Sequence, residues 1–265
     1  MAVKRYLVVS ALFMLLLIAA GCSGTVTSEE FLQSYHVRSG TVIEVFNPNG
    51  DVKITGWNQD KIEIAALKES IRGQSALDEV DINIDIADKL IIRTLHPDDR
   101  PVVTVTYDIK VPADLVVGLI ESSNGSIILQ DVSGNPELFT SNGSISATGV
   151  NGIVLASTSN GNITATGVRS LAGLITSNGS IEADLPTVHD DLEIKTSNGS
   201  IKLSLSPSLR ANLDISTSNG SISFQNLNID DAELEQTSLL GTMNGGGSKL
   251  EVSTANGSIE LLPLR

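Results

Sequence analysis

The chain has 265 residues, a formal net charge of −14 and a single cysteine. An acidic surface of this kind argues against nucleic acid or anionic lipid as a partner, because both are bound through cationic patches. The single cysteine excludes an internal disulfide.

Residues 1–21 have the pattern of a secretory leader. Lys4 and Arg5 form a charged start, and the apolar stretch over 6–18 is short for a membrane span. The sequence Ala-Ala-Gly then precedes Cys22, and this junction resembles the lipobox of bacterial lipoproteins. The resemblance implies that the Cys22 sulfur carries a diacylglyceryl group and that cleavage makes Cys22 the first residue. The alternative is an ordinary signal peptide with an incidental cysteine.

A lipid on Cys22 would place the protein in the cell envelope, with the membrane as its first partner. Ser23 follows the cysteine. By resemblance to lipoproteins of bacteria with two membranes, a serine here implies the outer membrane, and in other bacteria the cell surface. Residues 22–40 are expected to be a lipidated tether with one helical turn around 28–32.

Residues 41–120 are predicted to form a first coil and an N-terminal β cap or inserted sheet. The segment 45–54 carries apolar residues at the spacing of the later repeats. Alternating strands are predicted over 61–65, 80–86, 90–94 and 102–111. The only tryptophan, Trp57, is expected to belong to the core of this cap.

Residues 121–265 repeat one phrase, Thr-Ser-Asn-Gly-Ser-Ile or a near variant. Apolar residues stand four before, three after and five after each asparagine, and Thr or Ser stands two before it. This pattern predicts two strands joined at a glycine, and we expect the glycine to have a positive φ. The asparagines of the repeats are Asn124, Asn142, Asn160, Asn178, Asn198, Asn219 and Asn256.

Two all-β architectures fit the repeat. Asn-Gly between alternating strands is typical of β-hairpins, whereas a fixed period near 20 residues is typical of a solenoid. Because all seven sites keep asparagine, we favour a parallel β-helix of about 18–21 residues per coil. Equivalent residues would stack about 4.8 Å apart, and the amides would hydrogen-bond along a structural ladder. Right-handed winding is the default. By parity with the apolar positions, the asparagines are expected to face the interior.

The last step between asparagines is 37 residues, which we interpret as two coils with an irregular one around residues 240–245. Leu261, Leu262 and Leu264 would then leave the final coil uncovered, and self-association through the solenoid ends is predicted.

The segment Asn49-Gly-Asp-Val-Lys-Ile-Thr-Gly-Trp57, the serial Ser-Asn-Gly-Ser-Ile phrases and the closing Thr254-Ala-Asn-Gly-Ser-Ile259 resemble a family of candidate adhesins built from β-strand repeats. The resemblance covers most of residues 41–265. It implies a β-solenoid that is frequently membrane-anchored, and it brings no catalytic residues.

The sequence therefore predicts a non-enzymatic envelope protein whose rigid surface binds an envelope protein or polymer. One alternative is a stress sensor that binds cationic peptides. Another is a polysaccharide-acting enzyme, which would need paired acids; we expect Asp184, Asp191 and Asp214 not to converge. His36, His96 and His189 are isolated. Phe139 is the best candidate for an exposed contact. We expect no cofactor, since no loop offers the six to eight oxygens of a calcium site.

Overall fold

The computed structural model describes residues 25–97 and 101–265, so the predicted leader and Cys22 lie outside the described residues. The described chain is built almost wholly of β-strands that alternate buried and exposed side chains. The N-terminal elements are β1 (Thr27–Tyr35), β2 (Val42–Asn49), β3 (Val52–Trp57), β4 (Ile62–Ser70), α1 (Gln74–Asp78), β5 (Asp81–Ile86), β6 (Lys89–Leu95) and β7 (Thr104–Pro112).

Each Asn-Gly repeat contributes two strands that meet near its glycine. The strands of the repeats are β8 (Val116–Asn124), β9 (Ile127–Gln130), β10 (Glu137–Asn142), β11 (Ile145–Thr148), β12 (Ile153–Asn160), β13 (Ile163–Thr166), β14 (Ser170–Asn178), β15 (Ile181–Leu185), β16 (Leu192–Asn198), β17 (Ile201–Leu205), β18 (Ala211–Asn219) and β19 (Ile222–Phe224). The last elements are β20 (Asp230–Leu234), β21 (Ser238–Met243), β22 (Ser248–Asn256) and β23 (Ile259–Pro263).

The strands form two long sheets, and the two strands of one repeat lie in different sheets. The first sheet has the order β1-β4-β7-β3-β9-β11-β13-β15-β17-β23-β19. The second has the order β20-β21-β18-β22-β16-β14-β12-β10-β8-β2-β6-β5. Neighbouring repeats pair in parallel with equivalent residues in register, as Asn124, Asn142 and Asn160 do. The parallel solenoid is therefore confirmed, and the hairpin alternative is wrong.

The core lies between the two sheets. The apolar residues on both sides of each Asn-Gly pair point inward; Leu138 in β10, and Ile145 and Ala147 in β11, are at most 1% exposed. Each of these columns continues into the next coil, so every coil buries its apolar face on its neighbours. Burial of one Ile or Leu side chain stabilises the fold by about 1.5–3 kcal/mol.

The N-terminal end is more elaborate than the predicted cap. The four predicted strands exist as β4 to β7, but β6 and β7 stack in parallel outside β2 and β3 and so add a further coil. Strands β5 and β4 then pair antiparallel on this coil, and β1 pairs antiparallel on β4. These antiparallel strands end the parallel stack and cover its edges.

The segment expected to be a tether with a helical turn contains β1 instead. Phe31 and Tyr35 of β1 pack against the core, while Glu30 and Leu32 of the same strand are exposed. Nine residues of β1 are paired with β4. The period-2 pattern and the free edge of β4 favour a strand here over an isolated helical turn, which is marginal in water.

The coils at the C-terminal end stack out of sequence order. Strands β22 and β23, although last in the chain, lie between β16/β17 and β18/β19. Asn198 therefore stacks on Asn256, and Asn256 stacks on Asn219. The predicted irregular coil around 240–245 is wrong, because β21 runs antiparallel to β18 and Asn244 and Gly245 form a turn at positive φ.

The predicted uncovered end at the last leucines is also wrong. Leu261 is fully buried because β23 has a strand on each side, with Phe224 of β19 opposite Leu261. The amide of Leu264 donates to the carbonyl of Leu205. The solenoid therefore ends at β19 in the first sheet and at β20 in the second.

This stacking order predicts that removing residues 246–265 also disorders strands that lie outside the deleted segment. Strands β18 and β19 pair with the rod only through β22 and β23 among the described elements. In hydrogen exchange of the truncated protein, the amides of β18, β19 and β21 are expected to lose protection while β8 to β15 keep theirs. Retained protection in β18 would instead mean that this coil can stack directly on β16.

Candidate functional site

The asparagine side chains form one continuous ladder along the corner between the two sheets. From Asn142 onward each amide nitrogen donates to the Oδ1 of the asparagine before it in the stack, at 2.8–3.0 Å. The order of the stack is Asn124, Asn142, Asn160, Asn178, Asn198, Asn256 and Asn219.

The ladder is exposed, and the expectation that it faces the interior is wrong. The chain leaves one sheet for the other at each Asn-Gly pair, so the period-2 rule does not extend across it. The polar residues that are buried are the threonines two positions before each asparagine, which form a column of their own. The threonine Oγ1 donates to a glycine carbonyl of the neighbouring coil, for example from Thr158 to Gly143 at 2.9 Å and from Thr176 to Gly161 at 3.0 Å.

The repeat glycines are required by close packing more than by their φ angle. Gly143, Gly161 and Gly179 do not have a positive φ, contrary to expectation. A Cβ atom at Gly161 would overlap the carbonyl oxygen of Gly143, and the same holds for each neighbouring pair along the corner. The backbones of successive coils therefore approach as closely as glycine allows.

The outer face of the second sheet has a groove of about 310 Å³, here named the Phe46–Phe139 groove. Phe46 of β2, Glu121 of β8 and Phe139 of β10 stand side by side on adjacent strands. Arg93 of β6 stacks over the Phe46 ring, 5.0 Å from its centroid. The groove is lined by Phe46, Asn47, Pro48, Arg93, Thr94, Leu95, Glu121, Ser122, Ser123, Phe139, Thr140, Ser141 and Ser157.

A buried hydrogen-bond network fixes the floor of this groove. Asn47 donates to the carbonyls of Gly50 and Val105, at 2.9 and 2.8 Å, and accepts from Thr94 at 2.9 Å. Thr94 also shares a hydrogen bond with the Tyr107 hydroxyl at 2.8 Å. Burial raises the pKa of Tyr107 to about 12. The network therefore holds the strands beneath the two rings in a fixed position.

The groove combines apolar and polar groups that can contact a ligand. Two phenyl rings, two strand spacings or about 10 Å apart, offer flat apolar contacts. Glu121 between them accepts hydrogen bonds, Arg93 donates, and Ser123 and Ser141 on the rim do both. A few placed polar groups among apolar contacts are typical of ligand sites.

Sequence reasoning placed Phe139 outward but missed Phe46 and Arg93. A signal was present, because Phe46 stands three residues before Asn49, as Phe139 does before Asn142. The structure brings Phe46 into the same row as Phe139 because β2 stacks directly on β8.

The three candidate acids do not all lie together, but two of them contact the same lysine. Asp184 lies in the first sheet and accepts from the Gly167 amide at 2.9 Å. Asp191 and Asp214 do meet, but at Lys249: Asp191 accepts from its backbone amide and Asp214 pairs with its ammonium, both at 2.8 Å. Hydrogen bonds to Asp214 and Glu251 raise the pKa of Lys249.

The remaining polar candidates are dispersed. His36 pairs with Asp60 at 3.7 Å, and His189 contacts Thr187. Trp57 donates to the Lys61 carbonyl, and the ammonium groups of Lys61 and Lys110 lie over its ring.

Across residues 25–97 and 101–265, no group of three or more His, Cys, Asp or Glu side chains could hold a metal ion. No helix in that part of the chain is long and apolar enough to cross a membrane.

Two stacked sheets of in-register repeats define the protein as a β-solenoid. A sequence model of the Toastrack DUF4097 family matches residues 42–262, and the chain belongs to this family. A comparison with curated proteins found no match.

The solved structures that are similar to this chain have low sequence identity to it. A candidate cell adhesion protein from Clostridium sporogenes is 9% identical with a TM-score of 0.41, and the match covers 90% of this chain and 100% of that one. A candidate adhesin from Bacteroides fragilis is 13% identical with a TM-score of 0.41, and the match covers 88% and 97%.

Proposed function

We propose that this chain is a non-enzymatic, lipid-anchored protein of the bacterial cell envelope whose solenoid presents the Phe46–Phe139 groove to a surface glycan. The single observation that carries the proposal is the row of Arg93, Phe46, Glu121 and Phe139 across four adjacent strands. The anchor would be the lipid on Cys22, in the outer membrane where the source has one.

A glycan strand fits this row better than a small rigid ligand. A sugar ring has an apolar face that packs on a phenyl ring, and its hydroxyls hydrogen-bond with carboxylate, guanidinium and serine groups. The row runs across the strands, so successive rings of a polymer could occupy it in turn. Because the groove is open and shallow, the affinity of one site would be modest, and several anchored copies would add avidity.

The stiffness of the solenoid supports a presenting role. The amide ladder, the threonine column and the close glycine contacts fix each coil on its neighbour without using the outer faces. Outer side chains can therefore change freely while the rod keeps its shape. The proposed winding is right-handed, with about 18–21 residues per coil.

The geometry gives less support to the two alternatives. A receptor for cationic peptides needs a cluster of free carboxylates; where acidic residues cluster here, their charge is partly offset, because Asp214 and Glu251 pair with Lys249 and Glu182 pairs with Lys202. A hydrolase needs two carboxyl groups facing one bond. The Phe46–Phe139 groove is lined by one carboxylate, that of Glu121.

Phe139→Ser tests the groove with little risk to the fold, because Ser157 occupies the equivalent position in the next coil. We expect it to weaken binding of isolated envelope glycans at least fivefold, since loss of one aromatic contact costs about 1 kcal/mol or more. Calorimetry on the full chain in detergent would measure this.

Ile175→Ser is the matched control, because Ile175 stands in the same row two strands beyond Phe139, outside the groove. It is expected to leave binding unchanged. Equal losses in both variants, or binding only of a basic peptide that Phe139→Ser leaves intact, would contradict the proposal. Release of reducing ends from the glycan would contradict the non-enzymatic assignment.

A further inference from the structure

The hexapeptide Thr-Ser-Asn-Gly-Ser-Ile occurs four times with no change, over residues 140–145, 176–181, 196–201 and 217–222. Asn-Gly is the dipeptide most prone to spontaneous deamidation, because glycine does not hinder attack of its own amide nitrogen on the asparagine side chain. The four copies share the same local chemistry, so any difference between them in the folded protein comes from their place in the stack.

In three copies the next coil holds both reacting groups. The amides of Gly143, Gly179 and Gly199 donate to an asparagine carbonyl of the next coil at 2.9–3.0 Å. The Oδ1 atoms of Asn142, Asn178 and Asn198 accept from the next amide of the ladder. Attack would require both bonds to break and the strand to rotate away from its neighbour.

The fourth copy is at the end of the ladder. Asn219 donates to the Oδ1 of Asn256 at 3.0 Å, but no further coil follows. Within residues 25–97 and 101–265, neither the Gly220 amide nor the Oδ1 of Asn219 has a hydrogen-bond partner. Strand β21 pairs with β18 as far as Ser216, and residues 236–237 accept hydrogen bonds from the Thr217 and Ile222 amides, but none of these bonds involves the Gly220 amide or the Asn219 side chain.

In each of the other Asn-Gly pairs, at least one of the two residues that would react is hydrogen-bonded. The amides of Gly50, Gly125, Gly161 and Gly257 donate to asparagine carbonyls of neighbouring coils, and the Gly152 amide donates to Val150. At the β21–β22 turn, the Asn244 side chain donates to the carbonyls of Pro207 and Leu209 at 3.0 and 2.7 Å.

We propose that Asn219 is a self-modification site at which the terminal coil deamidates. The Gly220 nitrogen loses its proton and bonds to Cγ of Asn219, the Cγ–Nδ2 bond breaks, and ammonia leaves a five-membered succinimide. Water then opens the ring at either carbonyl and gives aspartate or isoaspartate. One water is consumed and one ammonia released, and no other reactant is needed.

The modification would loosen the end of the rod. A carboxylate at position 219 can no longer donate to the Oδ1 of Asn256, and it repels that oxygen instead. The Gly257 amide donates to the Asn219 carbonyl at 3.0 Å, and this hydrogen bond would be weakened when the terminal coil frays. Asn256 is therefore expected to be the second residue to convert.

Peptide mapping by mass spectrometry tests this order in the full chain, purified in detergent and incubated at mildly alkaline pH. We expect Asn219 to convert at least about tenfold faster than Asn142, Asn178 and Asn198, a difference of about 1.4 kcal/mol in activation free energy. In denaturant the four copies are expected to convert at similar rates, which isolates the effect of the fold.

Asn219→Asp imitates the product and provides a second test. It is expected to accelerate conversion of Asn256 and to lower hydrogen-exchange protection in β18 and β19, while β8 to β15 stay protected. Equal rates at the four copies of the folded chain, or first conversion at Asn151 or Asn244, would overturn the proposal.

Discussion

Replacing Gly161 by alanine is expected to destabilise the solenoid by about 3 kcal/mol or more. The new Cβ would overlap the Gly143 carbonyl oxygen, which also accepts the hydrogen bond from Thr158. Separating the two coils to make room would break this partly buried bond. Denaturant unfolding followed by circular dichroism measures the loss, and hydrogen exchange would place it at β12 and β13.

Gly173→Ala is the matched control within β14. A Cβ there would lie 3.1 Å from Cδ1 of Leu155, the mobile end of a side chain, and 3.7 Å from the Glu193 carbonyl oxygen. We expect a change within about 1 kcal/mol, because reduced freedom of the unfolded chain offsets the contact. If Gly161→Ala proved as stable as this control, the close approach of the coils would not be what requires glycine.

Asn47→Ala is expected to have the second large effect, about 2–4 kcal/mol. Asn47 is 1% exposed, and its amide donates to the Gly50 and Val105 carbonyls while its oxygen accepts from Thr94. Alanine would remove three buried hydrogen bonds and leave acceptors that water cannot easily reach. Thermal and denaturant unfolding of the purified variant would report the loss.

Asn49→Ala is the comparison for this variant. Asn49 also donates twice, to the Val103 carbonyl at 3.0 Å and to Thr104 at 3.2 Å, but its bonds are only partly buried. Water can replace part of what is lost, so we expect about 1 kcal/mol or less. Similar losses in the two variants would mean that burial does not set the importance of the Asn47 network.

Repeat period and side-chain parity were enough to predict the β-solenoid. The apolar residues around each Asn-Gly pair, such as Leu138 and Ile145, alternate with period 2 and recur every 18 residues in the first repeats. A strand buries one face, and a coil without a neighbour cannot bury it, so a stack follows. The alternation does not continue through the bend at each Asn-Gly pair. The asparagines there are exposed, whereas Thr158 and its equivalents are buried.

The order of the coils could not be predicted. Asn198 meets the same threonine, asparagine and isoleucine columns whether β18/β19 or β22/β23 lies next to it, so side-chain stacking does not distinguish the two orders. The choice depends on the excursion through residues 225–247, which folds into β20 and β21 and returns the chain between two coils. The same kind of insertion places β2 and β3 inside β6 and β7 at the other end.

The candidate site likewise depends on this stacking. Phe46 and Phe139 are distant in the sequence, and they share a groove because residues 58–115 leave the rod, build its N-terminal end and return one coil later. The function proposed for the groove would have been missed from the repeats alone, which contain few aromatic residues.

The amino-acid sequence by itself determined the strands, their inward faces and the parallel stacking of equivalent residues, because these follow from local periodicity and from identical side chains packing on one another. Only the tertiary structure decided which coils are neighbours, which Asn-Gly pair is left at the end of the ladder, and which outer side chains meet in a groove. These features depend on the path of the connecting segments, and identical repeats carry no information about that path.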